Sequence, residues 1–298
     1  MDNNLILSAD IGGTHITCAI VDIDRESIIP FSRVTVPVDS ASGAGSVLAA
    51  WRSAVKEACQ LGGICKGAAI SIPGPFDYEK GISLIKGVGK YDSVFGMDLR
   101  SFFSEAAGLP PENIKFINDA SAFALGEYYA GSGKKCGRIT AITLGTGFGS
   151  TFLNDGKIVS DSSDVPLGGM FWNIPYKKGI ADDYFSTRWF IESYFEAAGI
   201  KAGNVKEIAM AHKHNKGAQK VFNEFAFNLS SFLMPWLNLF GTEKLIIGGK
   251  IALAAELFVP LMEYAFENEK MNTKIEISQL WEDAPIIGAA NLFKQPGN

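Results

Sequence analysis

Short apolar runs, each stopped by a glycine or a charged cluster, open the chain. Residues 5–10 form the first run and end at Gly12-Gly13, and residues 16–23 form the second and end at Asp24-Arg25-Glu26. Over 28–37 apolar and polar positions alternate, so the pattern predicts three antiparallel strands joined by tight turns. A helical pattern follows over about 46–61. A buried strand over 68–72 then stops at Pro73-Gly74-Pro75, and a second helix is predicted over 99–107. The strand over 115–117 runs into Asn118-Asp119.

The order then starts again. Residues 139–144 are apolar, Gly145-Thr146-Gly147 reads as a turn, and 150–153 resumes as a strand. Helices are predicted over about 182–198, 218–240 and 254–266, with a strand over 244–247 closed by Gly248-Gly249. The phenylalanines between Phe222 and Phe240 recur at helical spacing and read as core. Strand, Gly-Thr turn, strand and helices thus occur twice, and near-duplicate halves of this type bind a ligand between them. Two α/β domains are expected, one over 1–118 completed by a C-terminal helix over about 286–298, the other over 119–285.

Composition narrows the classes. A net charge of −5 argues against sequence-independent nucleic-acid binding, which needs Lys and Arg to neutralise phosphates. Nothing before Leu5 offers a helix-turn-helix. No apolar run approaches the roughly 20 residues that span a bilayer, so no membrane partner is expected. Met1-Asp2-Asn3-Asn4 carries no basic leader, and a cytoplasmic location is the default expectation. Cys18, Cys59, Cys65 and Cys136 are scattered, without metal-ligand spacing, and read as reduced thiols.

Three glycine turns each follow an apolar strand: Asp10-Ile11-Gly12-Gly13-Thr14, Gly145-Thr146-Gly147-Phe148-Gly149 and Gly248-Gly249. Glycine lets a backbone approach a phosphate without a Cβ clash, and the N–H groups then line an anion-binding surface. Thr14 and Thr146 add hydroxyls, and Asp10 is placed to hold Mg²⁺ through water. A single such turn is more often an ordinary β-turn. No P-loop occurs, and none of the turns has the spacing that opens a dinucleotide-binding helix. For Asp119 two readings stand on the local pattern, a cap for a helix starting at Ala120 or a positioned carboxylate.

The order of these segments resembles the ROK family of sugar kinases, in the actin/hexokinase superfamily. Asp10–Thr14 is similar to the family's first phosphate motif, 144–149 to its second, and Ile246-Ile247-Gly248-Gly249 to its adenosine motif. Ile287-Gly288-Ala289-Ala290 is similar to its C-terminal signature, and residues 72–77 and 118–127 to its sugar-side and catalytic segments. The resemblance implies a two-domain, ribonuclease H-like ATPase fold with an interdomain cleft, ATP and Mg²⁺ as cofactors, and a hexose acceptor. It assigns ATP and its phosphates to Asp10, Gly12, Gly13, Thr14, Gly145, Thr146, Gly147, Gly248 and Gly249, and sugar to Gly74, Asn118, Asp119, Asn173 and Asp182. Asp119 becomes the general base, and a homodimer is expected.

The chain departs from that pattern in one place. Over Gly168-Gly169-Met170-Phe171-Trp172-Asn173, Met170 stands where the family has a sugar-binding Glu and Asn173 where it has a zinc-binding His. The cysteines of the family's zinc loop are absent, so no zinc site is expected. Asp182 stands in place of a second sugar-binding Glu. Loss of a buried acceptor alters which hydroxyls a pocket selects. Two outcomes follow: a pocket fitted to another hexose or an N-acyl sugar, or Trp172, Asn173 and Tyr176 rebuilding the same contacts.

Overall fold

The computed structural model describes residues 4–87 and 89–294. The last four positions of the helix expected over 286–298 lie outside the described residues. Contacts divide the chain into two compact units, Met1–Ala130 with Glu282–Asn298, and Gly131–Trp281.

In the first unit β1 (Leu5–Ile11) and β2 (His15–Asp22) pair antiparallel, and β3 (Ser27–Ile28) and β4 (Val34–Pro37) both pair with β2. Helix α1 (Ala44–Gly62) leads to β5 (Gly67–Ser71), the small hairpin β6 (Phe76–Asp77) and β7 (Ile82–Ser83), helix α2 (Leu99–Ala107), β8 (Ile114–Ile117) and helix α3 (Asp119–Ala130). The order across the sheet is β3-β2-β1-β5-β8, with β1, β5 and β8 parallel. All five residues of β5 are buried, as befits a parallel strand covered on both faces. Val47, Trp51, Ala54, Val55 and Ala58 of α1 are buried along one stripe and join the core of this sheet.

The alternation over 28–37 is not one strand. Pro30 cannot donate to a ladder, Phe31 takes φ 65°, and the chain turns there. Consequently β3 pairs with Val21–Asp22 while β4 pairs with the other end of β2, and the Ser32 hydroxyl accepts the Ile20 N–H at 3.0 Å.

The second unit repeats the plan. Strands β9 (Arg138–Leu144), β10 (Phe148–Asn154) and β11 (Lys157–Val159) form an antiparallel meander, and β12 (Pro175–Tyr176) and β13 (Gly179–Ile180) a hairpin. Helices α4 (Ala181–Tyr184), α5 (Thr187–Ala198), α6 (Val205–Ala211) and α7 (Lys216–Phe240) follow, then β14 (Lys244–Gly248), α8 (Val259–Asn268) and β15 (Lys274–Ile277). The order β11-β10-β9-β14-β15 matches the first sheet position for position, again with three parallel strands. Phe222, Phe225, Phe232 and Phe240 of α7 are buried as their spacing predicts, and Phe227 points out.

Two helix predictions need correction, and one helix was missed. The one over 182–198 is two helices, because Ser186 is extended (φ −125°, ψ 166°) behind the buried Phe185. The one over 254–266 opens as a 3₁₀ segment, Lys250–Leu257, and becomes α-helical only at Val259, with Pro260 in its first turn. Helix α6 was not anticipated, although Asn204 accepts the Glu207 N–H at 3.0 Å while the Glu207 carboxylate reaches back, a capping pattern legible in the sequence.

The chain finally returns to the first unit as α9 (Asp283–Ala290), and this moves the expected boundary at 118/119 to 130/131. Helices α3 and α9 touch backbone to backbone. A Cβ on Gly288 would lie 1.8 Å from the Ala122 carbonyl oxygen, and one on Gly126 would lie 1.9 Å from that of Ala284. Only glycine permits this approach, so α3 belongs with α9 and not with the strands that follow it.

Candidate active site

In the first unit the predicted residues gather at one edge of the sheet. Strands β1, β5 and β8 are parallel, and the register sets Asp10 opposite Ser71 and Ser71 opposite Ile117. Asp10, Ser71 and Asn118-Asp119 therefore lie at the carboxyl ends of adjacent parallel strands, where open α/β sheets bind ligands. The Ser71 hydroxyl donates to Asp10 Oδ1 at 2.7 Å.

The turn after β1 is held from outside itself. The Gly12 N–H donates to the His15 carbonyl (2.9 Å), the Val38 N–H to the Thr14 carbonyl (2.8 Å), and the Tyr91 hydroxyl to the Gly12 carbonyl (2.5 Å). Thr14 Oγ1 lies 3.1 Å from His15 Nδ1, within hydrogen-bond distance. The N–H groups of Gly13 and Thr14 have no partner among the described residues. A Cβ on Gly13 would meet no atom within 4 Å. No packing constraint inside the protein requires glycine there, and the open space suits the approach of an outside group.

The capping role goes to Asn118 and not to Asp119. Asn118 Oδ1 accepts the N–H groups of Ala120 (3.0 Å) and Ser121 (3.3 Å), and its backbone carbonyl accepts that of Ala122 (2.8 Å). Its amide nitrogen donates to the Tyr78 hydroxyl (3.3 Å), which in turn donates to the Ile72 carbonyl (3.1 Å). The Asn118 side chain also hydrogen-bonds the Asp119 carboxylate, one of the contacts that hold that group's pKa down. Tyr78 also lies beside Gly74, whose Cβ would sit 3.5 Å from that hydroxyl, so Gly74 and Asn118 share a neighbour.

Asp119 occupies the first turn of α3, solvent-accessible, with Oδ1 accepting the Ala120 N–H at 2.9 Å. Desolvation by the surrounding protein pushes its carboxyl above the ordinary aspartate range, opposed by that hydrogen bond and by the charge of Lys90. Burial likewise raises Asp10 from 3.8 to about 6, against the Ser71 hydrogen bond, and the carboxylates of Asp119 and Glu282 add to the rise.

Such a carboxylate suits a cation. Asp10 offers a hard oxygen donor, which fits Mg²⁺, an ion that keeps several waters and takes further oxygens from substrate phosphates. Among the described residues no group of three or more His, Cys, Asp or Glu is placed to hold a metal by protein ligands alone.

The raised pKa fixes a stability prediction. Between pH 4 and 6 the folded chain binds more protons at Asp10 than the unfolded chain, so this group's contribution to stability declines as pH rises. In metal-free buffer Asp10→Asn should raise Tm at pH 8, by at most about 3 kcal/mol of stability, with the gain vanishing near pH 4. A Tm difference that does not change with pH would overturn the assignment.

The second unit builds a matching turn at the carboxyl end of β9. The Gly145 N–H donates to the Gly147 carbonyl (3.1 Å), and the Gly145 carbonyl accepts both the N–H (2.8 Å) and the hydroxyl (2.9 Å) of Thr187. Thr146 and Gly147 keep N–H groups without a partner among the described residues, and a Cβ on Gly145 would meet nothing within 4 Å. The Phe148 N–H donates to Asp182 Oδ1 at 2.7 Å, and that oxygen lies where a Cβ on Gly147 would crowd it at 3.2 Å. Asp182, expected on the sugar, thus has one oxygen committed to bracing this turn. Its reach from α4 is what sequence alone could not show.

Beside it, Gly248 closes β14 opposite Thr143, and Gly249 takes φ 86° with its Cβ position 2.4 Å from the Leu144 carbonyl oxygen. Both facts demand glycine. The turns at 145 and 249 thereby lie side by side at one sheet edge. Met170, Trp172 and Asn173 are exposed, and the Trp172 carbonyl accepts the Asp182 N–H at 3.0 Å, which sets this segment next to the Gly145 turn. Sequence reasoning missed Tyr78, Tyr91 and Thr187; each is an ordinary residue whose role comes from a long-range hydrogen bond.

Comparison with known proteins accords with this geometry. The profile of the ROK family matches residues 6–166 and 177–296. The interval left between the two spans holds Met170, Trp172 and Asn173. A glucokinase of Thermotoga maritima is 26% identical over 317 residues, covering 97% of both chains. A xylose repressor of Caldicellulosiruptor bescii is 25% identical over 260 residues, covering 78% of this chain and 64% of the repressor. Among solved structures, a ROK family glucokinase from Streptomyces griseus in complex with glucose and AMPPNP superposes with a TM-score of 0.74 at 24% identity, covering 98% of this chain and 99% of that one.

Proposed function

The chain belongs to the ROK family, with the actin-like ATPase fold of its sugar kinases, and from that premise we infer that it transfers the γ-phosphoryl group of ATP to the 6-hydroxyl of a hexose. The observation that carries the reading is Asp119. Asn118 has taken over the helix cap, which leaves an accessible carboxylate with a raised pKa at the start of α3. A carboxylate of that kind accepts the hydroxyl proton as the sugar oxygen attacks phosphorus and the bond to ADP breaks. The paired N–H groups of Gly13 and Thr14, and of Thr146 and Gly147, supply phosphate contacts. Gly248 and Gly249 border the nucleotide, and Gly74, Asn118 and Asn173 hold the sugar. Bound through water to Asp10, Mg²⁺ would neutralise charge on the transferring phosphates.

A second reading, a non-catalytic sugar or nucleotide sensor, is favoured by the repressor among the relatives. The two separate in a coupled ADP-release assay over a panel of hexoses and N-acetylhexosamines, each with and without Mg²⁺. Stimulation of ATP turnover by one sugar is expected. Binding of a sugar with no stimulated turnover would overturn the kinase reading and leave the sensor.

A further inference from the structure

Asn228 is a buried polar residue in the middle of α7, 1% exposed within an apolar core. Among the described residues its amide nitrogen has no hydrogen-bond partner, a standing cost in a buried site. What the side chain does is accept the Lys177 ammonium on Oδ1 at 2.7 Å. Lysine only donates, so this contact fixes the orientation of the amide. The Asn228 backbone carbonyl also accepts the Tyr176 hydroxyl at 3.2 Å. The lysine sits at the tip of the β12–β13 hairpin with φ 51°, its ammonium 5.6 Å from the centre of the Tyr176 ring and 5.4 Å from that of Tyr184. The tip is therefore pinned to α7 by two hydrogen bonds, and the lysine's cation–π contacts tie it to Tyr176 of the hairpin and Tyr184 of α4.

From the pinned hairpin a continuous set of bonds leads to the turn at 145–149. The Ile180 N–H donates to Asp183 Oδ2 at 3.0 Å, and Asp183 Oδ1 accepts Arg188 at 2.9 Å. Arg188 lies 3.8 Å from Asp182 Oδ2, and Asp182 Oδ1 holds the Phe148 N–H at 2.7 Å. The hairpin itself closes onto the same short helix, since the Ala181 N–H donates to the Ile174 carbonyl at 2.9 Å. Adjacent carboxylates on α4 thus face two ways, Asp183 to the hairpin and Asp182 to the turn.

We propose that Lys177 and Asn228 form a clasp that positions the Gly145–Gly149 turn for nucleotide, acting through the hairpin and the paired carboxylates of α4. Lys177 touches no substrate in this scheme; it is a positioning residue. A buried amide that weakens the core but fixes the register of a hairpin is the kind of polar group retained for specificity. The proposal rests on the reading of the turn as a nucleotide site, and it extends that reading to residues outside the matched motifs.

The test is isothermal titration of Mg²⁺-AMPPNP into the full chain and its variants, with Tm measured alongside. Lys177→Met should weaken AMPPNP binding about tenfold, the loss of roughly one hydrogen bond's net contribution at the turn. Lys177→Arg, which keeps donors within reach of Asn228, should restore it. Asn228→Leu removes the unpaired buried amide, so it should hold or raise Tm while weakening AMPPNP to the same degree. A residue with only a structural role would move stability and binding together. Unchanged AMPPNP affinity in Lys177→Met and Asn228→Leu, with wild type binding normally, overturns the clasp alone. Failure of wild type to bind AMPPNP overturns the nucleotide reading and the clasp with it.

Discussion

Asp119→Asn should lower kcat by roughly 10³-fold while leaving the KM for sugar within a factor of a few. The substitution keeps size and hydrogen-bonding shape, and its amide oxygen can still accept the Ala120 N–H that Asp119 accepts. Because Asn118 is the cap, helix α3 keeps its capping bonds, and by the same linkage as at Asp10 the Tm at pH 8 should hold or rise. What disappears is the group able to take a proton. The same chemistry sets the pH profile of the wild type. The base works deprotonated, and desolvation raises its carboxyl above the ordinary range, so kcat/KM should begin to fall on acidification at a higher pH than a free aspartate would give. Steady-state kinetics over pH 4–8 reads both effects. Turnover retained by Asp119→Asn would remove this residue from the mechanism.

The largest stability effect should come from Gly288→Ala. Adding one methyl normally costs a packed core about 1–3 kcal/mol, because side chains shift to make room. Here the obstacle is the Ala122 carbonyl at 1.8 Å and the Gly126 nitrogen at 2.5 Å, both in the backbone of α3. Neither can rotate away, so the helices must separate along their whole contact. A loss of about 3 kcal/mol or more is expected, read as a drop in Tm and in the urea midpoint. Since α3 begins at Asp119, separation also displaces the carboxylate, and kcat should fall in the fraction that still folds. A Tm within a degree of wild type would show that the two backbones are not in contact.

These predictions divide by what the amino-acid order can reveal. Glycine turns after apolar runs, the twofold repeat of strand, turn, strand and helices, and the Asn118-Asp119 pair are local patterns, and the sequence by itself determined them. They depend on backbone geometry within a few residues, which composition at those positions dictates. The strand over 28–37 was misread because alternation alone does not reveal that Pro30 and Phe31 turn the chain. Residues joined across long separations were out of reach for the same reason. Tyr91 on Gly12, Thr187 on Gly145 and Lys177 on Asn228 are 79, 42 and 51 positions apart.

Asp182 and Asn118 show the difference most plainly. The resemblance makes both sugar ligands, and the hydrogen bonds they make inside the protein depend on which unpaired backbone N–H groups the fold brings near them. For Asn118 those are the first N–H groups of α3; for Asp182 it is the Phe148 N–H of a turn formed 34 residues earlier. Residue type and spacing set the chemistry that each group is capable of. Only tertiary structure, by pairing or leaving unpaired each buried donor and acceptor, decided where that chemistry is spent.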